Sequence, residues 1–595
     1  MGSSPLCVLE ELLSDRRRMC GVPCADLRLV VQWEKPNDGQ GGLTLYLKLN
    51  GYEISCEMGI RWLDALELLP EQYRVRAPLG ISVQGRTFSL NDPVEEYAHA
   101  RILTYANEEG RRIYERSLQL LFLTAVHRLR PDAHVRIEHS FGQGLYIVLV
   151  GEEMNAEFVA EIEREMRALV AQDLPILRKN VTTDDAQEYF ARTGQTDRLR
   201  ILDYRQYNHF TLYRIDDGPE DYFYGEMTPS TGFVNVFSLV PYGPGVVMMQ
   251  PDVNNPAHSA PFKDLPKLWR IYQETAEWNK ILRCENAADL NEMIDGHHLR
   301  EFIRVSEALQ ERKIQSIADR FIASGARLIL IAGPSSSGKT TFAHRLSIAL
   351  RVQGLRPVKV SLDDYYRNRN ELPREADGSI DLERIDTLDT ALISDHLKRL
   401  MDGETVELPE YDFNTGMRRN ETHPFRVEVG QPIIIEGIHG LNEQLTEGIE
   451  RRLKFKIYIS ALTMLNLDDH NRIRTTDARL LRRIVRDYQF RGTPPEATMA
   501  MWNSVRHGEE NYIFPYQEEA DAMFNSSLTY ELSIMKKYAY PALLAVKPDS
   551  PHYTLARRLV KFLNYIQTAD VEDEIPVNSL LREFIGGCCF YRETD

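Results

Sequence analysis

The chain is 595 residues long, 43% hydrophobic and 27% charged, which at roughly 150 residues per domain predicts about four folded units and excludes a disordered, collagen-like or disulfide-built polypeptide. Its 88 acidic side chains outnumber 71 basic ones for a net charge of −17. The molecule as a whole therefore repels polyanions, and any phosphate or nucleic-acid site has to be a local basic patch. Cys7, Cys20, Cys24, Cys56, Cys284, Cys588 and Cys589 form no paired Cys-x-x-Cys units, so they read as reduced thiols of a cytoplasmic protein. The first 18 residues lack the apolar stretch of an export signal, and no run of ~18 apolar residues supports a membrane span.

In chain order, residues 1–40 form an extension, after which short apolar runs around WLDALELL predict a small mixed α/β unit over residues 43–93. A helix is expected over 108–130, a hairpin turning at Gly142 and Gly144, and a further helix over 155–171. Residues 241–266 are rich in Pro, Gly and Asn and mark the main boundary. Residues 268–321 read as nearly continuous helix. From Arg327 onward strands RLILIA, VKVSL, PIIIEG, KFKIYIS and ALLAV alternate with helices, which predicts a parallel sheet covered on both faces.

The strongest chemical signal is Gly333-Pro-Ser335-Ser336-Ser337-Gly338-Lys339-Thr340-Thr341, a G-x-x-x-x-G-K-[ST] loop between an apolar strand and a helix. Such a loop turns successive N–H groups, reinforced by the helix dipole, toward phosphate oxygens. Lys339 would meet the β/γ-phosphates of ATP, and Thr340 would offer its hydroxyl to Mg²⁺. Asp363 and Asp364 end the next strand, where open α/β sheets place ligand groups, as a proton acceptor or as a turn cap. Glu436 tips the strand PIIIEG as a metal-site acid or an ordinary strand-end carboxylate. Residues 472–492 hold seven arginines against two aspartates. Arg479, Arg483 and Arg486 recur at i, i+4 and i+7, and so share a helix face that could screen phosphoryl charge or simply be solvated.

Together GPSSSGKTT, LDDYYR, LPEYDF, IIIEGIHGL and DARLLRRIVRDYQFRG resemble the uridine kinase and phosphoribulokinase group over roughly residues 327–546. The resemblance implies an α/β P-loop kinase using ATP and Mg²⁺, with Asp363 as general base. It also implies Lys339 and Thr340 on phosphate and metal, Glu436 at the metal, and an arginine lid that includes Arg479, Arg483 and the substrate-side Arg486. Tyr366 and Tyr411 match positions around the acceptor, and Glu383 stands where the family usually has an Asp on ribose hydroxyls. One departure is Gly416, which replaces the histidine that reads the pyrimidine in nucleoside-specific members.

The N-terminal half resembles threonyl-tRNA synthetase. Residues 43–105 are similar to its β-grasp TGS domain, and residues 108–249 to its α+β second, editing-type domain. At the four editing-site positions this chain has Leu120, Thr124, Phe223 and Met227, so no deacylation chemistry is carried over. His297-His298 is assigned to surface or packing duty. The expected layout is an extension over 1–40, a TGS-like domain over 41–105, an editing-like domain over 106–265, a helical connector over 266–323, a kinase over 324–570 and a tail over 571–595. The expected activity is ATP-dependent phosphorylation of a nucleoside hydroxyl. A sugar-phosphate kinase and a nucleotide-gated RNA-binding regulator are the alternatives. Expected partners are a small hydroxylated acceptor, RNA through the N-terminal half, a second copy of the chain, and no membrane.

Overall fold

The computed structural model describes residues 44–95, 98–204, 209–374, 380–381, 383–412 and 415–591. The extension 1–40, with Cys7, Cys20 and Cys24, lies outside these residues, as do Phe413 of LPEYDF and the last four residues of the tail. Among the described residues no helix is long and apolar enough to cross a membrane.

Residues 44–103 form a mixed five-stranded sheet in which Thr44–Leu49 pairs antiparallel with Tyr52–Glu57 and parallel with Ala98–Leu103. Trp62 and Ala65 of the helix Trp62–Glu67 bury in one cluster with Leu47 and Ile81, which strand alternation sends to the same face, and with Leu90 of the following turn. The long helix Glu108–Leu129 then packs with Ala156–Gln172 over two antiparallel sheets of three and four strands. PYGPG, expected within the boundary, is instead the turn of the hairpin Ser238–Tyr242 with Gly245–Met249.

The C-terminal sheet has five parallel strands: Leu328–Ala332, Val358–Ser361, Ile433–Glu436, Lys454–Ser460 and Ala522–Asn525. Their spatial order is second, third, first, fourth, fifth. The central strand is fully buried, as a sheet covered by helices on both faces requires. ALLAV is not a strand. It completes the helix Glu531–Leu544, whose Ile534, Met535, Ala539, Ala542 and Leu543 share a buried face, and a five-residue apolar run by itself cannot distinguish the two states. The fifth strand is AMFN.

The expected continuous helix over 268–321 is three helices, Pro266–Leu282, Ala287–Asp295 and Leu299–Ser324, broken at the left-handed Arg283 and at Gly296. The last of these is more than a connector. Ile314, Ile317, Ala318 and Phe321 pack into the sheet's core beside Phe342 and Leu346. The expected tail is likewise built in, since Ile575, Leu580, Leu581, Phe584 and Ile585 are buried.

Candidate active site

The loop after the first strand lies at the C-terminal edge of the sheet. Gly333 passes so close to the fourth strand that a Cβ there would sit 1.9 Å from the Ile459 carbonyl oxygen, so only glycine fits. The helix that follows the loop runs Lys339–Val352. The Lys339 ammonium donates to the loop's own carbonyls, at 3.1 Å to Gly333 and 3.3 Å to Pro334.

Strand register explains how three separated motifs meet. Glu436 pairs with Ile331 on one side and with Ser361 on the other, so its carboxylate rises between the phosphate loop and the Asp363 turn. Thr340 Oγ1 donates to Glu436 Oε1 at 2.9 Å. Burial pushes Glu436 up to about 7, opposed by Lys339 and reinforced by the Asp363 charge. Burial also raises Asp363, against the pull of Lys339 and Arg491, although its backbone turns at the open side of the cleft, where its N–H donates to Ser361 Oγ at 3.2 Å. Two carboxylates and a hydroxyl converging beside a phosphate loop form a hard oxygen donor set of the kind Mg²⁺ takes. These residues fit the ion.

The rings of Tyr366 and Tyr411 lie 5.6 Å apart. Burial drives Glu383 up to about 7, and the nearby Glu509 charge adds to the effect. Its side chain lies against the backbone of Gly508, where a Cβ would come within 2.2 Å of it. Gly416 has φ +71, and a Cβ there would meet the Arg369 side chain at 2.5 Å. The position of the missing histidine is thus left-handed backbone filled from behind by an arginine.

The arginine helix is Thr475–Phe490, and of the two readings of its basic face, phosphate-screening or merely solvated, the solvated one does not hold for Arg479 and Arg482, which are buried. Arg479 is 1% exposed. It donates to both carboxylate oxygens of Glu509 and to the Ser335 carbonyl. Arg482 is equally buried on Glu531. Arg483 donates to Ser335 Oγ at 2.9 Å and shares Asp487 with Arg486 and Arg491. Arg486 is therefore held by its neighbour Asp487. The reason is composition beyond the helix: acids from distant elements reach into it.

Glu509 was not singled out by sequence reasoning. It lies in the helix Pro495–Tyr512, is fully buried, and accepts the Ser335 N–H at 3.1 Å as well as Arg479 and Arg506. His439 was missed too. It is 1% exposed beside the Glu383 backbone, and burial pulls it down to about 4, so it is neutral. The HG that follows IIIEGI was the available signal for His439; Glu509 had none.

Residues 328–533 match the family model described as "Phosphoribulokinase / Uridine kinase family". A uridine kinase of Chloroflexus aurantiacus is 30% identical over 198 residues, covering 33% of this chain and 85% of that protein. A uridine kinase of Lactobacillus helveticus is 32% identical over 195 residues, covering 33% and 83%. Among solved structures, a possible uridine kinase from Bacillus stearothermophilus aligns over 36% of this chain and 98% of its own, at 20% identity and a TM-score of 0.25. A D-glycerate 3-kinase from Cryptococcus neoformans aligns over 44% and 88%, at 15% identity and a TM-score of 0.20.

Proposed function

The chain belongs, through its C-terminal parallel-sheet unit, to the phosphoribulokinase and uridine kinase family, and on that premise we propose that it transfers the γ-phosphoryl group of ATP to a hydroxyl of a small acceptor, a nucleoside 5′-hydroxyl first among them. The observation that carries this reading is the register that sets Glu436 between the loop and the Asp363 turn, with Thr340 bonded to it.

Asp363 takes the proton of the acceptor hydroxyl. Burial raises its basicity, which favours proton capture, and the Lys339 and Arg491 charges oppose that rise. The loop N–H groups and Lys339 hold the phosphates, while Arg483, poised on Ser335, faces the side where charge spreads during transfer. Thr340 and Glu436 would hold Mg²⁺, which when bound neutralises charge on the β- and γ-oxygens. Tyr366, Tyr411 and Glu383 orient the acceptor, Glu383 by accepting from its hydroxyls.

A second reading is a sugar-phosphate acceptor: Gly416 removes the base-reading imidazole, and the side chain packed beside it is that of Arg369. RNA contact through the N-terminal half is a further proposal that rests on the synthetase resemblance alone. The test is ATP consumption by the full chain across nucleosides and pentose phosphates, with the product identified by mass. A phosphorylated nucleoside supports the first reading and a bisphosphate the second. Silence across the panel would overturn both.

A further inference from the structure

We propose that residues 572–591 form an autoinhibitory strap that seats the Glu583 carboxylate in the phosphate loop, so that ATP has to displace it; the proposal rests on the nucleotide-site reading above. Thr341 follows Lys339 and Thr340 in the loop sequence and is fully buried. Its N–H and hydroxyl both donate to Glu583 Oε2, at 3.4 and 2.7 Å. That N–H belongs to the first turn of the loop's helix, among the unpaired donors such a loop offers to phosphate oxygens. A carboxylate there is the same acceptor with the same sign of charge as the ligand. The two cannot share the donor, and a glutamate left beside a triphosphate repels it.

The rest of the segment closes around this contact. Tyr591 Oη lies 3.3 Å from Thr341 Oγ1. Leu580 covers Gly338, its Cδ2 being 3.2 Å from where a Cβ would stand. Phe590 stacks on His344 of the same helix at 4.8 Å. The strap also reaches the arginine helix, because Gln489 donates to the Phe584 carbonyl and the Arg482 guanidinium lies 5.0 Å from the Phe584 ring. It thus ties the phosphate loop to the element that carries Arg483. Its outer end is held by exposed ion pairs, Glu574 with Arg300 and Arg304, and Glu572 with Lys537. Gly586 and Gly587, at φ +95 and +70, separate Glu583 from Phe590 and give the segment a place to bend. The segment lies outside the 328–533 stretch matched by the family model.

The test uses the full chain. A fluorescent ATP analogue is titrated into the wild type, Glu583→Gln, Glu583→Ala and Lys339→Ala. Hydrogen exchange of residues 572–591 is followed in the wild type with and without ATP, a readout independent of how any variant folds. The strap predicts about fivefold or more tighter binding in both Glu583 variants, because a closed fraction lowers apparent affinity in proportion, and faster exchange of the segment when ATP binds. Unchanged or weaker binding in both variants, or slower exchange of the segment with ATP, would make it a wall of the site and overturn the strap while leaving the nucleotide reading intact. If neither the wild type nor the Glu583 variants bind the analogue any better than Lys339→Ala, the nucleotide site itself falls, and the strap with it.

Discussion

Asp363 must be ionised to take a proton, yet burial favours the neutral form, and the charges of Lys339 and Arg491 offset that only in part. Replacing it by Asn keeps the shape and removes the base. Asp363→Asn should cut turnover by ~10² to 10⁴ while isothermal titration shows ATP binding largely intact; turnover within a few-fold of the wild type would remove Asp363 from the mechanism. Glu383 gives a prediction of the opposite kind, on stability. Its carboxyl titrates near 4.5 when free and near 7 when folded, mainly through burial. Between those values only the folded chain keeps the proton, so the penalty for holding the charge grows as pH rises and is complete above about 7. Glu383→Gln should therefore raise stability at pH 8 by about 1–2 kcal/mol, allowing for partial solvent access, with the gain vanishing by pH 5 in parallel thermal melts. At this scale the motif residues were legible because loop chemistry is local: Gly333, Lys339, Thr340, Asp363 and Glu436 meet at the ends of three neighbouring strands. Glu509 and Glu583 were not, since nothing in their own surroundings marks an acid that will reach a loop more than 170 residues earlier.

Among the elements, the arginine helix shows what spacing can and cannot reveal. Spacing put Arg479, Arg483 and Arg486 on one helix face and counted the local charge, but the acids that hold the buried Arg479 and Arg482 lie on Pro495–Tyr512 and Glu531–Leu544. Removing one member of a buried pair strands the other. Glu509→Leu should cost about 3–5 kcal/mol in denaturant unfolding, and Arg479→Met combined with Glu509→Leu should recover most of that. Equal loss in the double variant would mean that the glutamate acts through Ser335 and Arg506 rather than through Arg479. Strand order was not legible either, because parallel pairing joins segments about 100 residues apart. ALLAV was misread and AMFN passed over for the same reason: a run of three to five apolar residues takes whichever state its neighbours bury.

Across the whole molecule, the units expected from the sequence share their interiors. One core joins Phe190, Phe210 and Tyr222 of the N-terminal half to Leu290 and Phe302 of the following helices and to Leu480, Tyr530 and Tyr565 beyond the phosphate loop. The Asn466 amide donates to the Ile137 carbonyl at 3.0 Å, and Arg112 pairs with Asp477 at 3.2 Å. Glu115 lies at the centre of this junction. It is buried, accepts from Gln250 at 3.0 Å, and pairs with Arg474 at 2.7 Å and Arg472 at 3.3 Å just ahead of the arginine helix. Two of the seven arginines that looked like a phosphate patch thus serve as tethers to the N-terminal half. Such a shared core predicts one cooperative calorimetric transition for the full chain, where separable domains would give several. Glu115→Ala leaves the largely buried Arg472 and the partly buried Arg474 without this acid, at a cost of roughly 3 kcal/mol, and that cost falls on the junction. The single transition should therefore split, with the N-terminal half melting apart from the kinase unit. A transition that merely shifts down without splitting would place the coupling in the apolar core and not in this ion cluster.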